Sequence, residues 1–405
     1  MKAVRIRLSF FFAMLIAAPG FAQSPDLDQL EGRGIRAGAF LFYPTATLEQ
    51  AINSNVFLSS LNRQSTYHAA LAPRLFVHSD WNRHALRLDI GTKAGVFTHD
   101  SADNFLDYDA ALAGQADITR KARLTGEVRF SHDSDERGTN DVPTASDSPV
   151  EFSELEARIQ GEWLYGSARI GPFAEWRRLD FDDTGLLGGG INNQDDRDRT
   201  ELRTGVALGL KVIRGYEGFV SAAYVQTEYA SALDDTGIDR DSTGFQLLGG
   251  VNIQLSRLVE GIVSGGLTQR HFDDPTLRDV TEITGEVGLI WKPTRRLTAT
   301  ADLSRKLRET TLAGASALLV TEGALGLNYE LLRTVTVKLN VNAARLQFQD
   351  ITRADNTFGT LLSADWAVTR HLTLSPGYEF DMRRSRTPGL GYTAHRIFLD
   401  ARYAF

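Results

Sequence analysis

The chain has 405 residues and carries 44 Lys and Arg against 51 Asp and Glu, a formal net charge of -7. With 42% hydrophobic and 23% charged residues it is too apolar for a disordered polymer and too polar for a bundle of membrane helices. The acidic balance argues against a nucleic-acid partner. The absence of cysteine excludes disulfide scaffolds, thiolate metal sites and cysteine nucleophiles.

Residues 1–22 read as an export signal. Lys2, Arg5 and Arg7 precede a short apolar run from Leu8 to Pro19, and Gly20-Phe21-Ala22 supplies the small-x-small pattern, so cleavage is expected after Ala22. The run is shorter than the ~17 to 25 apolar residues of a membrane anchor. Cleavage removes three positive charges and no negative ones, leaving a mature charge of -10. Residues 23–34 read as a short periplasmic segment, and 35–405 as one continuous unit.

From residue 35 onward, segments of ten to fifteen residues alternate apolar and polar with period two, the pattern of half-buried strands. Glu154, Glu156, Arg158 and Glu162 share one face of their segment, and Arg169, Glu175 and Arg177 one face of the next. Leu202, Val206, Leu208 and Leu210 oppose Arg203, Gly205, Ala207 and Lys211. Ile283, Val287, Leu289 and Trp291 oppose Glu282, Thr284 and Glu286, and Leu297, Ala301 and Leu303 oppose Asp302 and Lys306. Near the end, Leu374, Tyr378 and Phe380 oppose Glu379, Asp381 and Arg383, before a last segment carrying Arg396, Asp400 and Arg402.

The connectors alternate between short, often basic turns and long, Asp-rich loops. The short ones fall near Trp81, Thr119, Tyr165, Arg214, Arg257, Pro293, Leu332 and Thr369; the longest loops are His132 to Pro149 and Phe181 to Arg199. Such asymmetry is the layout of outer-membrane barrels rather than of soluble sandwiches. The expected fold is therefore all-β: a single closed antiparallel transmembrane β-barrel of about 18 strands, both termini on the periplasmic side. Lipid and lipopolysaccharide are the expected surroundings. Trp163, Trp176, Trp291 and Trp366 share parity with the apolar face and lie near strand ends, where an interfacial girdle sits. The chain closes on Ile397, Leu399, Ala401, Tyr403 and Phe405, one face of a strand ending in phenylalanine. Tyr403 and Phe405 resemble the recognition signal of the bacterial barrel assembly machinery.

Longer stretches carry a family resemblance. The Trp291-Lys292-Pro293-Thr294 turn, the Arg308-Glu309-Thr310-Thr311-Leu312-Ala313-Gly314 passage, Pro376-Gly377-Tyr378 with Arg384-Ser385, and the Tyr392 to Phe405 strand are its main elements. Together with Pro44 and Asn53-Ser54-Asn55-Val56, they resemble an outer-membrane β-barrel porin family of proteobacteria, some members of which accompany surface-polysaccharide loci. The resemblance implies a porin-like conduit and, as partners, polysaccharide export components.

An eighteen-stranded interior is too wide for side chains to fill, and Lys or Arg facing lipid at the midplane costs ~2 to 4 kcal/mol. The charged faces named above, from Glu154 to Arg402, are therefore the candidate lumen lining. They serve either as a selectivity lining or as cross-strand ion pairs that brace the wall. Asp182-Asp183 and Asn193-Gln194-Asp195-Asp196 lack the spacing of a calcium loop, so solvated loops, no metal and no cofactor are expected. No Gly-x-Ser-x-Gly or His-Glu-x-x-His run occurs. Strand phase separates Ser385 from His395, the best hydrolase pairing. The expected function is a non-enzymatic outer-membrane channel. The alternative is a plugged structural or adhesion barrel acting through its acidic loops.

Overall fold

Alternation along each segment becomes one wall. The computed structural model describes residues 34–61, 63–138, 142 and 146–405; the signal peptide, its cleavage at Ala22 and nearly all of the 23–34 segment lie outside the described residues. A three-residue strand, β1 (Ile35–Ala37), pairs with the start of the first wall strand. The wall therefore begins at Phe40 rather than Ile35. It comprises β2 (Phe40–Asn53), β3 (Thr66–Ser79), β4 (Ala85–Phe97), β5 (Phe105–Asp117), β6 (Ala122–Asp135), β7 (Val150–Tyr165) and β8 (Ala168–Phe181). A small hairpin, β9 (Thr184–Gly185) with β10 (Ile191–Asn192), stands in the following loop. The wall continues with β11 (Arg199–Ile213), β12 (Tyr216–Tyr229), β13 (Ser242–Ser256), β14 (Val259–Phe272), β15 (Val280–Thr294) and β16 (Leu297–Arg308). It ends with β17 (Leu318–Leu332), β18 (Val335–Phe348), β19 (Ala354–Ala367), β20 (Leu372–Ser385) and β21 (Tyr392–Ala404).

Each wall strand pairs antiparallel with the next, and β2 also pairs with β21 from Thr45↔Ala404 to Asn53↔Arg396. Eighteen strands thus close on themselves, the even number that lets every neighbour run antiparallel. Closure leaves no unpaired edge for lipid to meet. Two-residue turns such as Arg214-Gly215 join strands at the short end, where Gly215 takes a φ of 85° that side-chain-bearing residues resist. Prolines Pro73, Pro172 and Pro376 stand within the wall. The β3–β4, β7–β8 and β19–β20 ladders each skip a step beside them, because proline has no N–H to give.

The two faces are chemically distinct. Leu208, Leu247, Ile283, Val287 and Leu325 are exposed on one. On the other, side chains meet across an intervening strand. Arg74 of β3 donates to Asp109 of β5 at 2.5 Å, Lys93 of β4 to Glu49 of β2 at 2.8 Å, and Arg203 of β11 to Gln246 of β13 at 3.0 Å. Only the concave side brings second neighbours so close, so the polar face is the inner one. The core is correspondingly thin, a lining of the wall. Phe173 lies flat over Gly205, where a Cβ would stand 2.7 Å from the ring. Phe173 also packs with Ala207, Phe219, Ala223 and Ile262.

Aromatic residues mark two levels on the outer face. At the short-turn end, Trp81, Trp163, Trp291 and Trp366 are each about half exposed. Trp176 is not near a strand end. It lies midway along β8, eight residues from the turn, at a level shared by Phe130, Tyr224 and Phe380. Cross-strand pairs Tyr108–Phe130, Tyr224–Phe245 and Phe358–Phe380 have centroids 5.5–6.3 Å apart and build this upper belt. Eight residues of tilted strand span roughly 20 Å, close to the ~25 Å apolar band of such barrels.

Candidate functional site

Charged residues on the inner face form rungs. On β7 and β8, Glu154 accepts from Arg177 at 3.3 Å, Arg158 pairs with Glu175 at 3.1 Å, and Glu162 stands 3.9 Å from Arg169. Each arginine except Arg158 also reaches a carboxylate beyond: Arg177 to Glu201 at 2.9 Å, and Arg169 to Glu217. Glu175 is shared, taking a second bond from Arg203 at 3.1 Å. Glu156 stands in register with both Arg129 and Arg177. Glu286, Asp302, Lys306, Asp381, Asp400, Arg402 and Lys211 occupy the same polar register of their strands.

A second centre lies at the closure of the barrel. Glu49 accepts from His68 at 3.0 Å, from Lys93 at 2.8 Å and from Arg396, which also donates to Glu379 at 3.0 Å. Arg396 and Glu379 are expected here from the sequence; Glu49, His68 and Lys93, with Arg74 and Asp109, are added by the structure. Alternation around Glu49, between exposed Leu48 and Ile52, was the available signal. It is diluted by alanines and threonines on the inner positions of β2 and β3.

Two named residues depart from the rung pattern. Arg383, at the loop end of β20, is buried, and it donates to the backbone carbonyls of Leu390 at 2.5 Å and Gly138 at 3.0 Å. Glu282 pairs at 3.0 Å with Arg305, whose Nε donates to the Ile283 carbonyl at 3.0 Å and whose Nη1 donates to Thr321 on the apolar face. The β15–β16 ladder stops at Gly285↔Arg305, which frees Arg305 to turn across the seam.

The loops are built rather than simply solvated. Asp183 accepts from the Gln194 amide and Asp198 from the Phe181 amide, both at 2.7 Å. Burial pushes the Asp196 carboxyl up to about 6, helped by Asp235 and Asp234 of a neighbouring loop. Burial likewise raises Asp198 to about 6. The loop of residues 182–198 bonds to 136–149 through Asp147 N to Gly185 O at 3.0 Å, and to 230–241 through Asn193 to Asp235 at 3.1 Å. Arg240, nearly inaccessible, binds Asp234 at 2.6 Å and the carbonyls of Thr310 and Ala315 at 2.9 Å. On the opposite rim Arg137 pairs with Asp103 at 2.5 Å and stacks over Phe57, while His99 pairs with Asp103 at 2.6 Å. Leu58 packs on Tyr392 and Ala394. The loops thus make a collar that leans inward over the mouth.

The stretches that carried the resemblance have structural roles here. Asn55 donates to Ser59 O and Thr393 O at 2.9 Å, and its own amide is held by Asn53 Oδ1 at 3.0 Å, pinning the first loop to the closing strand. Glu309 accepts from Arg270 at 3.1 Å and Thr227 at 3.2 Å. Ser385 accepts from the Thr387 amide at 3.1 Å, whereas His395 bonds to Tyr378 at 2.8 Å, so the two form no dyad.

An apolar outer face between aromatic belts, around a charged interior, defines a transmembrane barrel of the outer membrane. The chain belongs to the family described as "Putative beta-barrel porin 2", whose profile matches residues 28–405. No curated protein matches it. Among solved structures it is similar to the siderophore receptor PiuA from Acinetobacter baumannii, with a TM-score of 0.50 and 8% identity over 92% of this chain and 82% of that one. It is also similar to a structure titled "Copper transporter OprC", with a TM-score of 0.47 and 10% identity over 92% and 82%. The siderophore receptor PirA from Pseudomonas aeruginosa gives a TM-score of 0.42 and 10% identity over 90% and 80%. At 8% identity the likeness to PiuA is one of fold alone.

Proposed function

We propose that the barrel is a passive, water-filled conduit for hydrophilic solutes across the outer membrane. The reading rests on the inner-face charges that stay wet despite facing the interior: the side chains of Arg74, Arg177 and Lys338 are 41%, 36% and 38% exposed, while others, such as Arg169 and Arg396, are largely buried in their ion pairs. Paired charges with water on one side make a wall along which polar molecules exchange one hydrogen-bond partner for another. Mutual pairing also keeps any single site from binding a passing ion too tightly. The finer reading is passage of a secreted polysaccharide, with export components as partners and the assembly machinery reading Tyr403 and Phe405 during insertion. Export through a signal cleaved after Ala22 belongs to the same proposal, as does the absence of catalysis.

Single-channel recording and swelling of proteoliposomes in neutral oligosaccharides test the conduit. Stepwise conductance with size-limited sugar entry is expected. The inward-leaning collar, from Gly138 on Arg383 to Leu58 on Tyr392, favours the rival reading of a structural barrel closed at its mouth. A folded protein that neither conducts nor admits sugars would establish that rival.

A further inference from the structure

The two ends of the barrel carry opposite charge. The eight short turns contain nine Lys and Arg and a single acid, Asp80, which is itself bonded to Arg36 at 2.6 Å. Every short turn but Gly166-Ser167 contributes a base. The nine long loops contain nineteen Asp and Glu against seven Lys and Arg. Arg214, Arg257, Arg295, Arg296, Arg333 and Arg370 are exposed and have no ion pair among the described residues. Loop acids, by contrast, are largely consumed in turns and pairs such as Asp234 with Arg240 and Asp103 with Arg137.

We infer that the turn end is a capture surface for polyanions: chains bearing repeated sulfate, phosphate or carboxylate groups, presented from the periplasm and led toward the lumen. The inference rests on the conduit reading for its purpose, though not for its chemistry. A ring of like charges around a low-dielectric rim sums into a potential that no isolated arginine makes, and raises the local concentration of counter-charged chains. Each unpaired guanidinium offers a forked donor to an oxyanion. The alternative claimant is anionic phospholipid in the inner leaflet. Two observations favour a soluble chain. Exposed Lys211 and Lys292 continue the positive surface onto the inner register, Lys211 opposite Glu217 and Lys292 on the face opposite Trp291. Arg295 and Arg370 also stand four residues beyond Trp291 and Trp366, roughly 10 Å past the interfacial belt. The acidic collar at the far end opposes entry of the same chains from outside, so the asymmetry has a direction.

The test uses the full mature protein in planar bilayers of zwitterionic lipid. Dextran sulfate is added to one side at a time, with uncharged dextran of equal size as control. Dextran sulfate on the turn side should reduce the current at a concentration about tenfold below that needed on the loop side, and the difference should shrink as salt shortens the Debye length. Replacing Arg214, Arg257, Arg295, Arg296, Arg333 and Arg370 by Gln should bring the two sides within about twofold. The wild-type asymmetry needs no variant, so it stands as a test even where the sixfold variant folds poorly. Equal block from both sides overturns the inference. Binding of labelled dextran sulfate to the detergent-solubilised protein is the second readout. Binding that the variant loses, in a protein that does not conduct, would end the conduit reading and keep the capture surface. No binding by the wild type would end the capture surface whatever the conductance. Binding abolished by a low fraction of phosphatidylglycerol in the micelle would assign the arginines to lipid headgroups and overturn it as well.

Discussion

Arg383, at the loop end of β20, donates to the backbone carbonyl of Gly138 at 3.0 Å, joining positions 245 apart along the chain. Gly138 belongs to the loop between β6 and β7, six strands around the wall from β20. One guanidinium thus ties a loop over the mouth to a distant sector of the rim, while its Nε holds the Leu390 carbonyl. Arg383→Ala strips the buried Gly138 carbonyl of a donor, at ~1 to 3 kcal/mol, and the half-buried Leu390 carbonyl at less. That loss falls on the collar rather than the wall. The variant should fold normally, be cut faster by protease between residues 136 and 149, and give a noisier open-channel current. Unchanged cleavage would show that other contacts alone hold the loop.

The wall is expected to respond to substitution by face. Val287 is central in β15 and points to lipid, 41% exposed, while Glu286 beside it points inward toward Lys306 and Arg203. Val287→Arg should lower stability by ~2 to 4 kcal/mol. Glu286→Gln keeps the shape, removes one inner carboxyl group and should change the unfolding midpoint little. Urea titration of heat-modifiable protein in liposomes measures both. Equal losses would mean that the register is one residue out of phase.

This division also explains what could be read from sequence. Face assignment followed from period two, since Leu208 beside Gly209 and Val287 beside Glu286 differ by what each faces. Connector lengths gave the strand count. The partner of each charge could not be read, because it is fixed by register between strands far apart in the chain. Glu217 meets Arg169 only because β8 and β12 flank β11. Arg383 looked like a rung by parity, yet it serves a loop whose course no local pattern records. Trp81 was missed because it sits in a turn, outside any alternating run.

The collar should tighten on mild acidification. Asp196 is raised from its ordinary 3.8 to about 6 by burial, then by Asp235 and Asp234, against the pull of Arg197 and Arg240. Asp198 is raised to about 6 by burial, with Asp180 and Asp195 adding, against the Phe181 amide. An acid raised in the folded state binds more protons there than in the opened loop, so stability falls as pH rises through the window from about 4 to 6. Hydrogen exchange in residues 182–198, corrected for the intrinsic rate, should be roughly two- to fivefold slower at pH 5 than at pH 7.5. Asp196→Asn should slow it at pH 7.5 and flatten the dependence. Faster exchange at pH 5 would reverse the sign and refute the argument.

Phe405 closes the apolar face of β21. Its amide donates to Pro44 O at 3.2 Å, and its ring meets Tyr403 edge-on at 4.9 Å. Deletion removes one hydrogen bond of the β2–β21 seam, a small loss for the finished barrel. A large effect must therefore arise during assembly. The truncated protein is expected to accumulate in the periplasm while refolding in detergent as well as wild type. Normal yield in the outer membrane would remove any role for the terminal aromatic as an assembly signal.

The rungs on β7 and β8 permit a test of the lumen that spares the fold. Glu154, Glu156 and Glu162 lie among Arg177, Arg158 and Arg169, yet each arginine has another carboxylate: Glu201 for Arg177, Glu175 for Arg158 and Glu217 for Arg169. Changing the three glutamates to Gln therefore leaves no arginine without an acidic neighbour, and the loss in stability should stay within ~1 to 2 kcal/mol. The wall loses three carboxylates relative to wild type, which moves its charge balance toward positive. In a wet lumen that change biases the passing ions more than it affects folding. Under a salt gradient, the zero-current potential should move toward anion preference, by an amount that shrinks with ionic strength. A potential that does not move, at unchanged conductance, would mean that these glutamates serve only to neutralise their arginines.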